Sequence, residues 1–104
     1  ILITDTRSIL AAKGVSYSEK EKLSAAVCQH IMTQTAYHYN PESPLPLFEG
    51  DSPAVDSLFP VGTQETPAGA VLLLHHRPSQ EKEQICAKLI AEILTLMNTK
   101  EYNP

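Results

Sequence analysis

Ala70-Val71-Leu72-Leu73-Leu74 is apolar at every position, and this run narrows the possible folds most. Five residues are short for a buried helix, and a strand wetted on one face would alternate apolar with polar side chains. An unbroken apolar strand is covered on both faces, so this one belongs at the centre of a sheet with further layers above and below. A second apolar run, residues 58–61, precedes it. The intervening Gly62-Thr63-Gln64-Glu65-Thr66-Pro67-Ala68-Gly69 is polar with glycine at both ends, which predicts a hairpin.

The N-terminus reads as another hairpin. Residues 1–4 and 9–12 are apolar, and Asp5-Thr6-Arg7-Ser8 between them is suited to a turn. Gly14 breaks the second strand, and Ser18-Glu19-Lys20-Glu21 has the S-x-x-E form of a capping box, predicting a helix that begins near Glu19. Along it Leu23, Ala26, Val27, His30 and Ile31 recur on one stripe that faces the sheet. Residues 35–57 carry Pro41, Pro44, Pro46 and Pro53, with Pro60 at the flank, and each proline removes a backbone donor. That stretch is expected to be mostly loop, with room for a short strand at residues 36–39.

Ser79 after Pro78 predicts the cap of a last helix running to about Asn98, with Ile85, Cys86, Leu89, Ile90, Ile93, Leu94 and Met97 at helical spacing. Leu96 adds apolar surface off that face. The stripe is wide enough for one side to cover the sheet while the other meets a second copy, and Ile85, Leu89, Ile93, Leu96 and Met97 are the candidate dimer contacts. An ordinary buried helix accounts for the same pattern. The expected order is β-β-α-loop-β-β-α, an α+β domain with a mostly antiparallel sheet of four or five strands and flanking helices.

With 104 residues, of which 42% are hydrophobic, the chain suits one domain over residues 1–104. It opens on Ile1 within an apolar run, which predicts a domain excised from a longer protein. No run approaches the roughly 18 apolar residues of a membrane span, so no membrane contact is expected and the cytoplasm is the default location. A net charge of −4 with scattered lysines and arginines argues against direct nucleic-acid contact.

The residues for chemistry are sparse. His30, His38, His75 and His76 invite a metal reading, but adjacent strand residues such as His75 and His76 point to opposite faces, so no metal site is expected. Cys28 and Cys86 lie among apolar neighbours without C-x-x-C spacing and read as inert core thiols. There is no G-x-S-x-G elbow, no recognisable acid pair and no glycine-rich phosphate loop. Catalysis and cofactors are not expected. Aromatic side chains gather around the proline-rich loop instead. Tyr37, His38, Tyr39, Phe48 and Phe59 are the candidate lining of a small-molecule pocket between that loop and the sheet, with His38 as polar contact. The alternative is that they only anchor the loop.

Three stretches carry a family likeness. Ile1-Leu2-Ile3-Thr4-Asp5 with Ile9-Leu10-Ala11-Ala12-Lys13-Gly14 looks like a first hairpin leading into a helix. Phe59-Pro60-Val61, a polar turn, and Pro67-Ala68-Gly69-Ala70-Val71-Leu72-Leu73-Leu74 resemble a P-[IV] … P-x-G-[AV] pair of strands, and a long helix closes the chain. Together they resemble the GAF-like domains of bacterial regulators, sporulation regulators among them. The likeness spans the two ends of the chain, whereas residues 35–57 are richer in proline than the family's pattern. It implies a cytoplasmic regulatory module in transcription or signal transduction, commonly a homodimer, often beside a DNA-binding domain and holding a small effector. A dimerisation module without a ligand is the alternative from another class, and a small enzyme the third.

Overall fold

The computed structural model describes residues 1–12, 22–50, 52–75 and 81–100. Along the chain run β1 (Leu2–Thr4), β2 (Ile9–Ala12), α1 (Ala25–Thr33), β3 (Tyr37–His38), β4 (Val55–Gly62), β5 (Pro67–Leu74) and α2 (Glu81–Lys100). The strands form one antiparallel sheet of order β2-β1-β5-β4-β3, with the apolar β5 at its centre. The α+β reading and the antiparallel sheet both hold.

The period of two along β5 explains its composition. Ala70 and Leu72 enter a core shared with Val27 and Ile31 of α1, while Val71 and Leu73 enter a second core beneath Ala87 and Ala91 of α2. Each face of the strand meets its own layer, so every position is apolar. Leu58 and Leu72, paired across β4 and β5, are both fully buried on the α1 side. Removing either side chain to alanine costs about 2–5 kcal/mol.

The first hairpin forms where the sequence places it. Asp5 Oδ1 accepts from the backbone N–H groups of Arg7 at 2.8 Å and Ser8 at 2.7 Å, which closes the turn between β1 and β2. The β4–β5 hairpin also forms, but β4 begins at Val55, so residues 55–57 belong to a strand and not to the proline-rich loop. Pro60 is tolerated in β4 because β3 pairs no further than Leu58.

α1 starts later than expected. Its N-cap is Ser24, whose Oγ accepts from the Val27 N–H at 3.1 Å and donates to the Pro46 carbonyl at 2.6 Å. Leu23 lies outside the helix and bridges to Phe48. The Ser18–Glu21 capping box and Ser79 lie outside the described residues. A sequence window cannot reveal that the acid at the start of α1 is Glu49, whose Oε1 accepts from the Ala25 N–H at 2.7 Å from 24 residues away.

The proline-rich loop is tied down by backbone bonds that alternate along it. Leu47 N–H donates to Pro53 O, Val55 N–H to Leu45 O and Ser24 N–H to Leu47 O. These bonds hold Leu45, Leu47 and Phe48 in the α1-side core, all buried.

Candidate functional site

α2 presents two unlike faces. Ala87, Ile90, Ala91 and Leu94 pack on the sheet, and the small alanines let the helix lie close to β4 and β5. A second set of large side chains points away from the sheet. Ile85, Leu89, Ile93, Leu96 and Met97 are 51–64% exposed, and at 100° per residue they fall within an arc of about 120°. The expected single wide stripe is thus divided in two, with the alanines, Ile90 and Leu94 inward and five large residues outward. Cys86, read from sequence as a core thiol, is exposed because its position, about 100° around the helix from the buried Ala87, faces away from the sheet.

Beside α2, on the flank nearest β3 and β4, runs a trough. One stretch, of about 470 Å³, is lined by Ala36, Phe59, Pro60, Lys88, Ala91, Glu92, Thr95 and Leu96. The next, of about 310 Å³, is bounded by His38, Glu81, Gln84 and Ile85 and shares Ala36, Phe59 and Lys88 with the first. Thr95 fastens the helix here, as its Oγ1 accepts from the Gly62 N–H at 3.0 Å and donates to the Ala91 carbonyl at 2.8 Å.

The five aromatic candidates do not line one cavity. His38 and Phe59 meet edge to face, with ring centroids 5.9 Å apart, and both line the trough on the α2 side. Tyr37 and Phe48 belong to the opposite core, on the α1 side. Tyr37 fastens the loop, its phenol donating to Ser43 O at 3.1 Å and accepting from the Asn40 N–H at 3.2 Å. Tyr39 stacks on His75 at 3.6 Å with planes 3° apart. The space between loop and sheet is filled by Leu45, Leu47 and Phe48.

A polar cluster sits at the same end of the sheet as Tyr39. Asp56, buried at the irregularity in β4, holds His75 through Oδ1···Nδ1 at 2.8 Å and accepts from Ser57 Oγ at 3.2 Å. Its sequence signal is weak, because 19 residues separate Asp56 from His75 and only the hairpin register brings them together. His30, in the last turn of α1, has Nδ1 2.9 Å from the Thr35 carbonyl and meets the Tyr37 ring edge to face. His76 lies outside the described residues. Among the described residues, no three of His, Cys, Asp and Glu gather where one ion would meet them all, and no helix is long and apolar enough to cross a membrane. Cys28 is half-buried in α1; burial pushes its thiol up, and Glu49 and Asp5 add to this against the opposing charge of Arg7. That is the opposite of an activated thiolate.

The chain matches no protein-family model, and no curated protein matches it.

Proposed function

We propose that this chain is a regulatory module of the GAF-like kind, which pairs with a second copy through α2 and carries a small effector in the trough beside that helix. The observation that carries this reading is the outward face of α2. Five large apolar side chains stand exposed along one helix while its alanines pack on the sheet. Contiguous apolar surface on such a scale marks an interaction site. The likeness of residues 59–61 and 67–74 to the GAF-type strand pair supports the regulatory part.

The effector has an apolar body that rests on Phe59, Pro60 and Ala91, and a polar group that meets His38. Ile85 and Leu96 touch both the trough and the outward face, so an occupied trough biases the pairing of α2 helices. Output then follows as a shift in population between two arrangements. A second reading, a dimerisation module without a ligand, is favoured by the filled space between loop and sheet, where Leu45, Leu47 and Phe48 leave their apolar bulk.

Native mass spectrometry under gentle and then denaturing conditions tests both at once. A dimer that releases a small molecule supports the sensor, and His38→Ala, an exposed position, lowers the retained fraction. A ligand-free dimer supports the second reading. A ligand-free monomer at all concentrations overturns the pairing.

A further inference from the structure

We infer that the second copy docks its α2 antiparallel to the first, centred on position 91, with Lys88 of each copy facing Glu92 of the other. This rests on the pairing proposed above and adds its direction and register. Two independent features of α2 point to it.

The first is the symmetry of the exposed stripe along the helix. Reflection about position 91 carries Ile85 onto Met97, Leu89 onto Ile93 and the exposed Cys86 onto Leu96. A two-fold interface demands self-complementarity, in which residue i meets j and j meets i. Antiparallel docking therefore sets each exposed apolar residue against another along a contact about 18 Å long.

The second is charge. Lys88 and Glu92 lie together on one flank of the stripe, about 40° apart, while the other flank carries Cys86 and Met97. When two helices dock antiparallel, the same flank of each meets across the seam. Lys88 then lies about 3 Å along the axis from Glu92 of the second copy, within reach of both long side chains, and the reciprocal pair forms by symmetry. The two Glu92 carboxylates that come together near the two-fold axis are each flanked by the other copy's Lys88. A parallel pair sets this charged flank against the apolar one and leaves both charges unmatched. Within one helix the order Lys88 then Glu92 is the weaker orientation for an i, i+4 pair, so little holds them to each other. Lys82, exposed in the first turn of α2, falls at the end of the pair, where helices crossing at about 20° diverge.

Sedimentation velocity over a wide concentration range, combined with cross-linking, tests this. Lys88→Glu and Glu92→Lys are exposed changes, and each is expected to weaken dimerisation about tenfold or more. The double exchange, Lys88→Glu with Glu92→Lys, restores it. In a Cys86→Ser background, Leu89→Cys and Ile93→Cys proteins are then oxidised separately and mixed. An antiparallel pair cross-links faster in the mixture than in either protein alone. A wild-type dimer whose double exchange fails to recover, or whose variants link best to themselves, overturns the antiparallel geometry and leaves the pairing itself standing. Absence of any wild-type dimer overturns the pairing, and this inference with it.

Discussion

Gly69 on β5 passes so close to Thr4 on β1 that a methyl group on its Cα would overlap the Thr4 carbonyl oxygen. A glycine entering a central strand serves either a positive φ or a close approach of two backbones. Here it is the approach, and the clashing atom belongs to the main chain, which cannot swing aside. Gly69→Ala is expected to cost about 3 kcal/mol, which lowers Tm by about 10–20 °C in a domain of this size. Gly50 is the control, since its φ is +82° and nothing stands within 4 Å of an added Cβ. Gly50→Ala should cost only about 1–2 kcal/mol of left-handed strain. Thermal melts of the two variants that coincide would remove the close-approach account.

Glu49 closes the N-terminus of α1 from the proline-rich loop, beside the local cap Ser24. Replacing it with alanine leaves the Ala25 N–H without its carboxylate and costs about 1 kcal/mol, as does Ser24→Ala. Both groups tie the loop to the same helix end, so the double variant should depart from additivity. Urea unfolding of the four proteins measures the coupling, and strict additivity would mean that loop and cap act separately.

Asp5 predicts a response to acid. Partial burial raises its carboxyl, but the N–H groups of Arg7 and Ser8, the Ser8 hydroxyl and the charge of Lys22 together hold it below the ordinary value. A carboxyl lower in the folded than in the unfolded chain adds stability that is complete above the unfolded value and is lost as pH falls through the folded one. The first hairpin should therefore loosen at pH below the ordinary carboxylate range, and Asp5→Asn should flatten that part of the stability profile. Chemical denaturation at a series of acid pH values reads the slope, and an unchanged slope in the variant would reassign the acid response elsewhere.

The two cysteines should separate in a thiol-labelling experiment. Cys86 stands exposed on α2, while burial pushes the Cys28 thiol up. In dilute native protein Cys86 reacts readily and Cys28 reacts fully only after unfolding. The proposed pairing of α2 helices predicts that labelling of Cys86 slows as concentration rises while that of Cys28 stays as it was. Equal rates for the two thiols in the native protein would contradict their placement.

Much of the frame was legible without coordinates because it depends on local pattern. The apolar run 70–74 announced a strand covered on both faces, and β5 is the middle strand of five. Asp5-Thr6-Arg7-Ser8 announced a turn because an aspartate can bond to backbone N–H groups two and three residues on, and it does. The short strand within residues 36–39 appears as Tyr37–His38. Periodicity also placed a helix at the end of the chain, but it could not say which arc of that helix would face inward.

The rest came from contacts between distant segments. The start of α1 moved to Ser24 because residues 46–49 supply bonds that a local window does not contain. The aromatic side chains near the loop were close in sequence, yet Phe48 and Phe59 went to opposite faces of one sheet. Asp56 and His75 met only through the register of β4 on β5. On α2 the choice of inward face was decided by fit. Alanines allow the helix to approach the sheet, and the bulk of Ile85, Leu89 and Ile93 was left outside. Hydrophobic periodicity follows from the geometry of a single element and can be read along the chain. Which face is buried depends on the shape of the neighbouring element, and that exists only once the chain has folded.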